Sequence, residues 1–259
     1  MRHILRRVER TLRVRGVGGT LQHAVVVAKR RIGLLPAEAD PEPEAVDTEP
    51  DFDARFGVDT AGIIPQAELD VDAPTWVHGS AYVPISPIDF ASVLGRFDLD
   101  VREATFVDLG CGKGRVLLMA SALPFARIVG VEFSPTLAAI ARDNLTRYTG
   151  PRAAQHVDVL TEDATRYTFP SGPLVVFMYH PFDGVVMQRV VAQLERSLAE
   201  RRRRIVVLYY KAVHGDVWEA SKAFAKAHET DAYVAYVGGS GAAAAFARPP
   251  RRISEESSA

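Results

Sequence analysis

The chain has 259 residues, 47% of them hydrophobic and 24% charged, with a formal net charge of -1. That balance is ordinary for a soluble globular protein and gives no global field to recruit nucleic acid or an anionic membrane. A single cysteine, Cys111, excludes an intrachain disulfide framework. No run of about 18 apolar residues marks a transmembrane helix. No secretory signal is legible at the N-terminus, and the expected compartment is the cytoplasm.

Residues 1–35 are basic, with Arg2, Arg6, Arg7, Arg10, Arg13, Arg15, Lys29, Arg30 and Arg31 against the lone acid Glu9. The spacing of Ile4, Leu5, Val8 and Leu12 predicts a short amphipathic helix. Gly16, Gly18 and Gly19 interrupt it, and residues 21–32 are a second candidate helix. Two uses stay open for this segment: contact with a membrane surface or a partner, and a solvated appendage packed on the domain. Residues 36–55 carry Glu38, Asp40, Glu42, Glu44, Asp47, Glu49, Asp51 and Asp53. Such a stretch buries too little apolar surface to offset its ordering entropy, which predicts a flexible acidic linker.

The folded domain is expected over residues 56–247, opening with a lid region at 56–85 anchored by Ile63, Ile64, Trp76 and Val77. Ser86, Pro87 and Asp89 then form a helix start: a capping hydroxyl, a proline at the first helical position and an acid at the third. Phe90, Val93, Leu94 and Phe97 give that helix its apolar face. Strands follow at 105–109, 127–131, 154–159, 174–178 and 205–210. Helices are expected at 115–123, 134–148, 185–198 and 216–227. Residues 232–237 and 242–247, flanking Gly238-Gly239-Ser240-Gly241, read as a terminal hairpin, and residues 248–259 as a disordered tail. Alternating strands and helices of this size predict an α/β fold. The sheet is doubly wound, mostly parallel and seven-stranded, with a C-terminal antiparallel hairpin and helices on both faces.

The most informative stretch is Val107-Asp108-Leu109-Gly110-Cys111-Gly112-Lys113-Gly114-Arg115, which runs strand, glycine loop, helix. Its G-x-G-x-G spacing places Arg115 where a dinucleotide fingerprint needs its third glycine, which argues against a nicotinamide cofactor. The stretch also lacks the spacing of a phosphate-binding P-loop. It resembles motif I of the class I S-adenosylmethionine-dependent methyltransferases, and the order of elements extends that resemblance over residues 82–247. The resemblance implies S-adenosylmethionine as cofactor and no metal. It implies that Gly110, Cys111, Gly112 and Gly114 lie under its methionine portion, with Asp108 holding the amino-acid end. It further implies that Glu132, ending the second strand, takes the ribose hydroxyls. Asp163 and Ala164, after the third strand, would meet the adenine, with Glu162 as the alternative acid. Tyr82, in Tyr82-Val83-Pro84, resembles a cofactor-proximal residue of some protein-lysine methyltransferases.

Phe177-Met178-Tyr179-His180-Pro181-Phe182 ends the fourth strand and resembles motif IV. In amino-group methyltransferases that motif carries Asn or Asp before two prolines. The departure leaves two readings for His180, a general base and a residue that only shapes the loop. Tyr179 and His180 are the candidate catalytic residues. Tyr82, Trp76, Tyr179 and Phe182 are the candidate aromatic faces for a sulfonium. The implied activity is methyl transfer to an acceptor that is not specified, an amino nitrogen among the options. A protein side chain or small molecule is favoured over nucleic acid. The alternative is a regulatory module that binds the cofactor without catalysis.

Overall fold

The computed structural model describes residues 51–69, 78–95 and 101–239. The expectations for residues 1–50, for Trp76 and Phe97, for a strand at 242–247 and for the tail lie outside them.

Seven strands form one sheet in the order β3-β2-β1-β4-β5-β7-β6. They are β1 (Thr105–Leu109), β2 (Arg127–Glu132), β3 (Val157–Thr161), β4 (Leu174–Tyr179), β5 (Ile205–Tyr210), β6 (Phe224–Glu229) and β7 (Tyr233–Gly238). The first five are parallel, while β7 runs antiparallel to both β5 and β6. The fold class expected from the alternating pattern is therefore the one observed. β1, β4 and β5 read as near-continuous apolar runs because strands of a parallel sheet covered on both faces are buried throughout.

The helices are α1 (Asp51–Phe56), α2 (Pro87–Leu94), α3 (Arg115–Ala120), α4 (Pro135–Arg147), α5 (Gly184–Glu200) and α6 (Gly215–Glu219). On one face of the sheet Phe90 and Val93 of α2, Leu117 and Ala120 of α3, and Ala138 and Ala141 of α4 pack on Phe106, Phe177 and Leu208. On the other, Val186, Val190 and Leu194 of α5 and Trp218 beside α6's end pack on Val107, Val176 and Val207. No helix among the described residues is long and apolar enough to cross a membrane. The expected caps are present: Ser86 Oγ accepts from Asp89 N at 3.0 Å and Ser134 Oγ from Leu137 N at 3.2 Å.

Three sequence expectations are corrected. The acidic stretch does not run to residue 55 as a linker, because its end is α1, whose Phe52 is buried against Val58, Leu118 and Tyr148. The helix expected over 216–227 stops at Glu219, and residues from Phe224 become edge strand β6. Ala, Lys and Glu favour helix there, but propensity is a weak determinant and pairing with β7 outweighs it. Among the described residues the antiparallel hairpin is β6–β7, and β7 has β5 on its other side. The third strand also lies later than its expected 154–159, in a register that pairs Thr161 with Glu132.

Candidate functional site

The order β3-β2-β1-β4 places a crossover reversal between β1 and β4, where doubly wound sheets open a crevice at the carboxyl ends of their strands. The glycine loop sits in that crevice. Gly110 and Gly112 have φ of 78° and 54°, a left-handed conformation that side-chain-bearing residues enter at a cost. A Cβ at Gly110 would lie 2.5 Å from Pro181 Cβ, so the loop after β1 and the loop after β4 touch.

Glu132, 3% exposed, is pinned at the end of β2. Its Oε2 accepts from Gly112 N and its Oε1 from Ser134 N, both at 2.8 Å. Each oxygen keeps a lone pair for a further donor. Burial pushes this carboxyl up to about 7, opposed by the backbone amides it accepts from. Asp108, also 3% exposed, is pushed well above the usual carboxylate range by burial and by the neighbouring Glu132. Burial, then Asp108 and Glu132, push the Cys111 thiol up as well.

Two adjoining pockets run along this edge. One is lined by Tyr82, Asp108, Gly110, Cys111, Gly112, Arg115, Glu132 and Tyr179, among others. The second is lined by Gly79, Phe133, Glu162, Asp163, Ala164 and Phe182, and shares Gly110, Phe133 and Pro181 with the first. The sequence-derived residues Asp108, Gly110, Cys111, Gly112, Glu132, Tyr82, Asp163, Ala164 and Tyr179 are thus gathered along one groove. It carries buried acids at one end and a mostly apolar slot at the other. That profile fits S-adenosylmethionine, whose ammonium and ribose hydroxyls need acceptors and whose adenine needs a flat slot. Asp163 turns Oδ1 to Thr165, accepting its N–H at 2.8 Å and its hydroxyl at 2.7 Å. Gly114 caps α3 beneath the loop.

His180 falls elsewhere. At 5% exposure its ring faces Tyr209, with Nδ1 3.4 Å from the hydroxyl, and lies 5.6 Å from the ring of His214. It lines neither pocket. Its φ of 37° marks a sharp turn between β4 and Pro181. Tyr179 is half-buried at the groove, its ring edge-on to Tyr210 at 4.8 Å, and the Tyr210 hydroxyl donates to Asp89 Oδ2 at 3.1 Å.

A strap crosses the groove. Tyr82 pairs with Ile64, Gly79 with Phe182, and Ser80 N donates to Pro181 O at 3.1 Å. His78 Nδ1 lies 2.6 Å from Asp183 Oδ2, tying the strap to the cap of α5. The Tyr82 hydroxyl donates to Thr60 O at 2.6 Å.

Thr60, fully buried, organises residues no sequence signal singled out. Its N–H and hydroxyl donate to Asp53, and its hydroxyl accepts from Arg115 Nε at 2.7 Å. Beside it Lys113 Nζ donates to Asp59 Oδ1 at 2.8 Å, and Asn144 Nδ2 donates to Asp59 O and Lys113 O. Residues 53–61 thus brace the glycine loop from behind. They lie in a segment whose composition reads as linker and loop, and their partners Lys113, Arg115 and Asn144 are 52 to 85 residues away in sequence.

Residues 106–201 match the family described as "Methyltransferase domain". Two curated relatives, both ribosomal protein L11 methyltransferases from strains of Aliivibrio fischeri, are 28% identical over 119 residues. That alignment covers 46% of this chain, and the chain spans only 32% of those relatives' length. Among solved structures, an RNA methyltransferase from Salinibacter ruber in complex with S-adenosyl-L-homocysteine aligns at 21% identity. It covers 67% of this chain and 100% of its own, with a TM-score of 0.40. A ribosomal protein L11 methylase from Lactobacillus delbrueckii subsp. bulgaricus aligns at 13% identity, covering 60% and 79%, with a TM-score of 0.43. The matched span runs from β1 through α5, the part of the chain that builds the glycine loop, the Glu132 clamp and the turn after β4. Residues 106–201 of the chain therefore form a methyltransferase domain.

Proposed function

We propose that this chain transfers the methyl group of S-adenosylmethionine to a nucleophile on a protein side chain or small molecule, with an amino nitrogen the first acceptor to test. The observation that carries the reading is Glu132. Its carboxylate is held between the Gly112 and Ser134 amides at the end of β2, in a groove that runs on to Asp163 and Ala164. The matched relatives act, by name, on a ribosomal protein, which supports a protein acceptor.

When bound, the cofactor supplies a methyl group activated by a sulfonium. The protein's task is to align, desolvate and manage a proton; alignment alone is worth ~7–11 kcal/mol in well-oriented model reactions. Glu132 would hold the ribose through the lone pairs its backbone contacts leave. Asp108 would take the ammonium, whose charge offsets the burial that now pushes the carboxyl up. Tyr179 is the polar side chain that β4 presents to the groove, so it would orient the acceptor and accept a hydrogen bond from it. His180, with its ring against Tyr209 and His214, would set the turn that carries Tyr179 and Pro181.

The test is transfer of a labelled methyl group from S-adenosylmethionine to the protein, small-molecule and nucleic-acid fractions of an extract. Label in the protein or small-molecule fraction is expected. Label confined to nucleic acid overturns the acceptor class. A chain that binds adenosylhomocysteine but labels nothing overturns catalysis.

A further inference from the structure

Resting on the methyl-transfer reading above, we infer that the acceptor is a protein segment presenting a lysine amine beside apolar side chains, docked on a rim formed by Ile88, Val185 and Val213. Among the described residues four large apolar side chains stand in solvent, Ile63, Ile88, Val185 and Val213, between 46% and 68% exposed. Apolar residues scattered singly over a surface are ordinary. These four share one end of the sheet, where the carboxyl ends of its parallel strands open the crevice. Ile88 is in the first turn of α2, next to Asp89, whose Oδ2 accepts from the hydroxyl of Tyr210 at the end of β5. Val213 lies in the connection between β5 and α6. Val185 is in the first turn of α5, after β4, and a Cβ on the adjacent Gly184 would stand 3.4 Å from His214 Nδ1, so the connections after β4 and β5 meet. Ile63 precedes Ile64, the residue that pairs with Tyr82 of the strap.

None of the four lines either pocket of the groove. A small amine held inside would leave all of them in water, whereas a protein segment spanning the opening would cover them. The rim is joined to the pocket by two rings: Tyr179, which lines the groove, is in register with Tyr210 and edge-on to it. Acids alternate with the apolar residues. Asp89 follows Ile88, Asp183 precedes Val185 by two residues, and Asp216 opens α6 three residues after Val213. Asp183 is engaged by His78 at 2.6 Å, and Lys211 is a cation on the same edge. Asp216 is exposed, and its charge reaches Tyr209. A rim of apolar and acidic side chains complements a partner of apolar and basic ones, which names lysine among amine-bearing residues. In the transfer the lysine nitrogen gives one proton to water and its lone pair forms the bond to the methyl carbon. The carbon–sulfur pair stays on sulfur, leaving adenosylhomocysteine.

The test is labelled-methyl transfer by the full chain to three substrates: extract protein, the same protein acetylated on its amines, and the small-molecule fraction. Wild type is compared with the double variant Ile88→Ser/Val213→Ser, whose positions are in solvent. Wild type should label untreated protein, and acetylation should remove that label. The double variant should label protein about tenfold more slowly at low extract concentration, the loss expected from two apolar contacts, and recover as the extract is concentrated. Its affinity for adenosylhomocysteine by calorimetry should match wild type. Label confined to the small-molecule fraction, label that survives acetylation, or an unchanged rate in the double variant would each overturn the inference; the first two hold even if the variant does not fold. So would intact labelling with an altered molar mass by light scattering, which would make the rim a contact between two copies of the chain. A wild type that does not bind adenosylhomocysteine, or binds it and labels nothing, would instead remove the proposed function and the inference with it.

Discussion

The ring of Tyr82 rests on the α-carbon of Gly112: a Cβ there would stand 2.2 Å from Tyr82 Cδ2 and 2.4 Å from Cε2. The bareness of Gly112 is thus required by the protein's own strap. Gly112→Ala should destabilise the ligand-free chain by about 2–4 kcal/mol. About 1–2 of that comes from the left-handed φ, and overpacking supplies the rest. Tyr82→Ala should relieve the steric part, so the two substitutions should couple by on the order of 1 kcal/mol or more in a denaturation cycle. Strict additivity would mean that the ring does not seat on the loop.

Glu132 makes stability depend on pH in a definite direction. Its carboxyl is raised to about 7 in the folded chain, above its unfolded value near 4.5, because burial opposes the charge. Between those values the folded chain holds a proton the unfolded chain has lost, so this group's contribution is full below about 4.5 and declines as pH rises toward 7. The stability advantage of wild type over Glu132→Ala should therefore shrink by on the order of 3 kcal/mol across that window, then stay flat. Melting curves at closely spaced pH values check this; a gap that widens with pH would reverse the assignment.

Tyr179 and His180 should separate in kinetics. Tyr179→Phe removes the hydroxyl from the groove and should lower kcat by about a hundredfold, in the range of lost proton management, with cofactor affinity unchanged. His180→Asn keeps a residue that tolerates positive φ and should stay within a few-fold of wild type. A collapse of kcat in His180→Asn with Tyr179→Phe unaffected would exchange the two roles.

Thr60→Val preserves shape and deletes a hydroxyl that both donates to Asp53 and accepts from Arg115. Leaving two buried partners short should cost about 2–4 kcal/mol. If residues 53–61 brace the loop, the same substitution should also weaken adenosylhomocysteine binding. Unchanged stability by urea titration would show that the segment only lies against the domain.

Read along the chain, the local patterns determine the alternation of strands and helices, the caps at Ser86 and Ser134, the glycine loop and the acid ending β2. Each is a short-range signal: a period, a cap or a spacing of a few residues. The tertiary structure decides what distance along the chain conceals. Strand β6 pairs with β7 although its residues favour helix, because an unpaired sheet edge is a stronger demand than propensity. Phe52 and Asp53, at the end of the acidic stretch, and Thr60 just beyond it brace Arg115, because a buried guanidinium requires partners wherever the chain can supply them. The ring of His180 faces Tyr209 while Tyr179 lines the groove, since one turn at positive φ determines which of two adjacent side chains is turned to it.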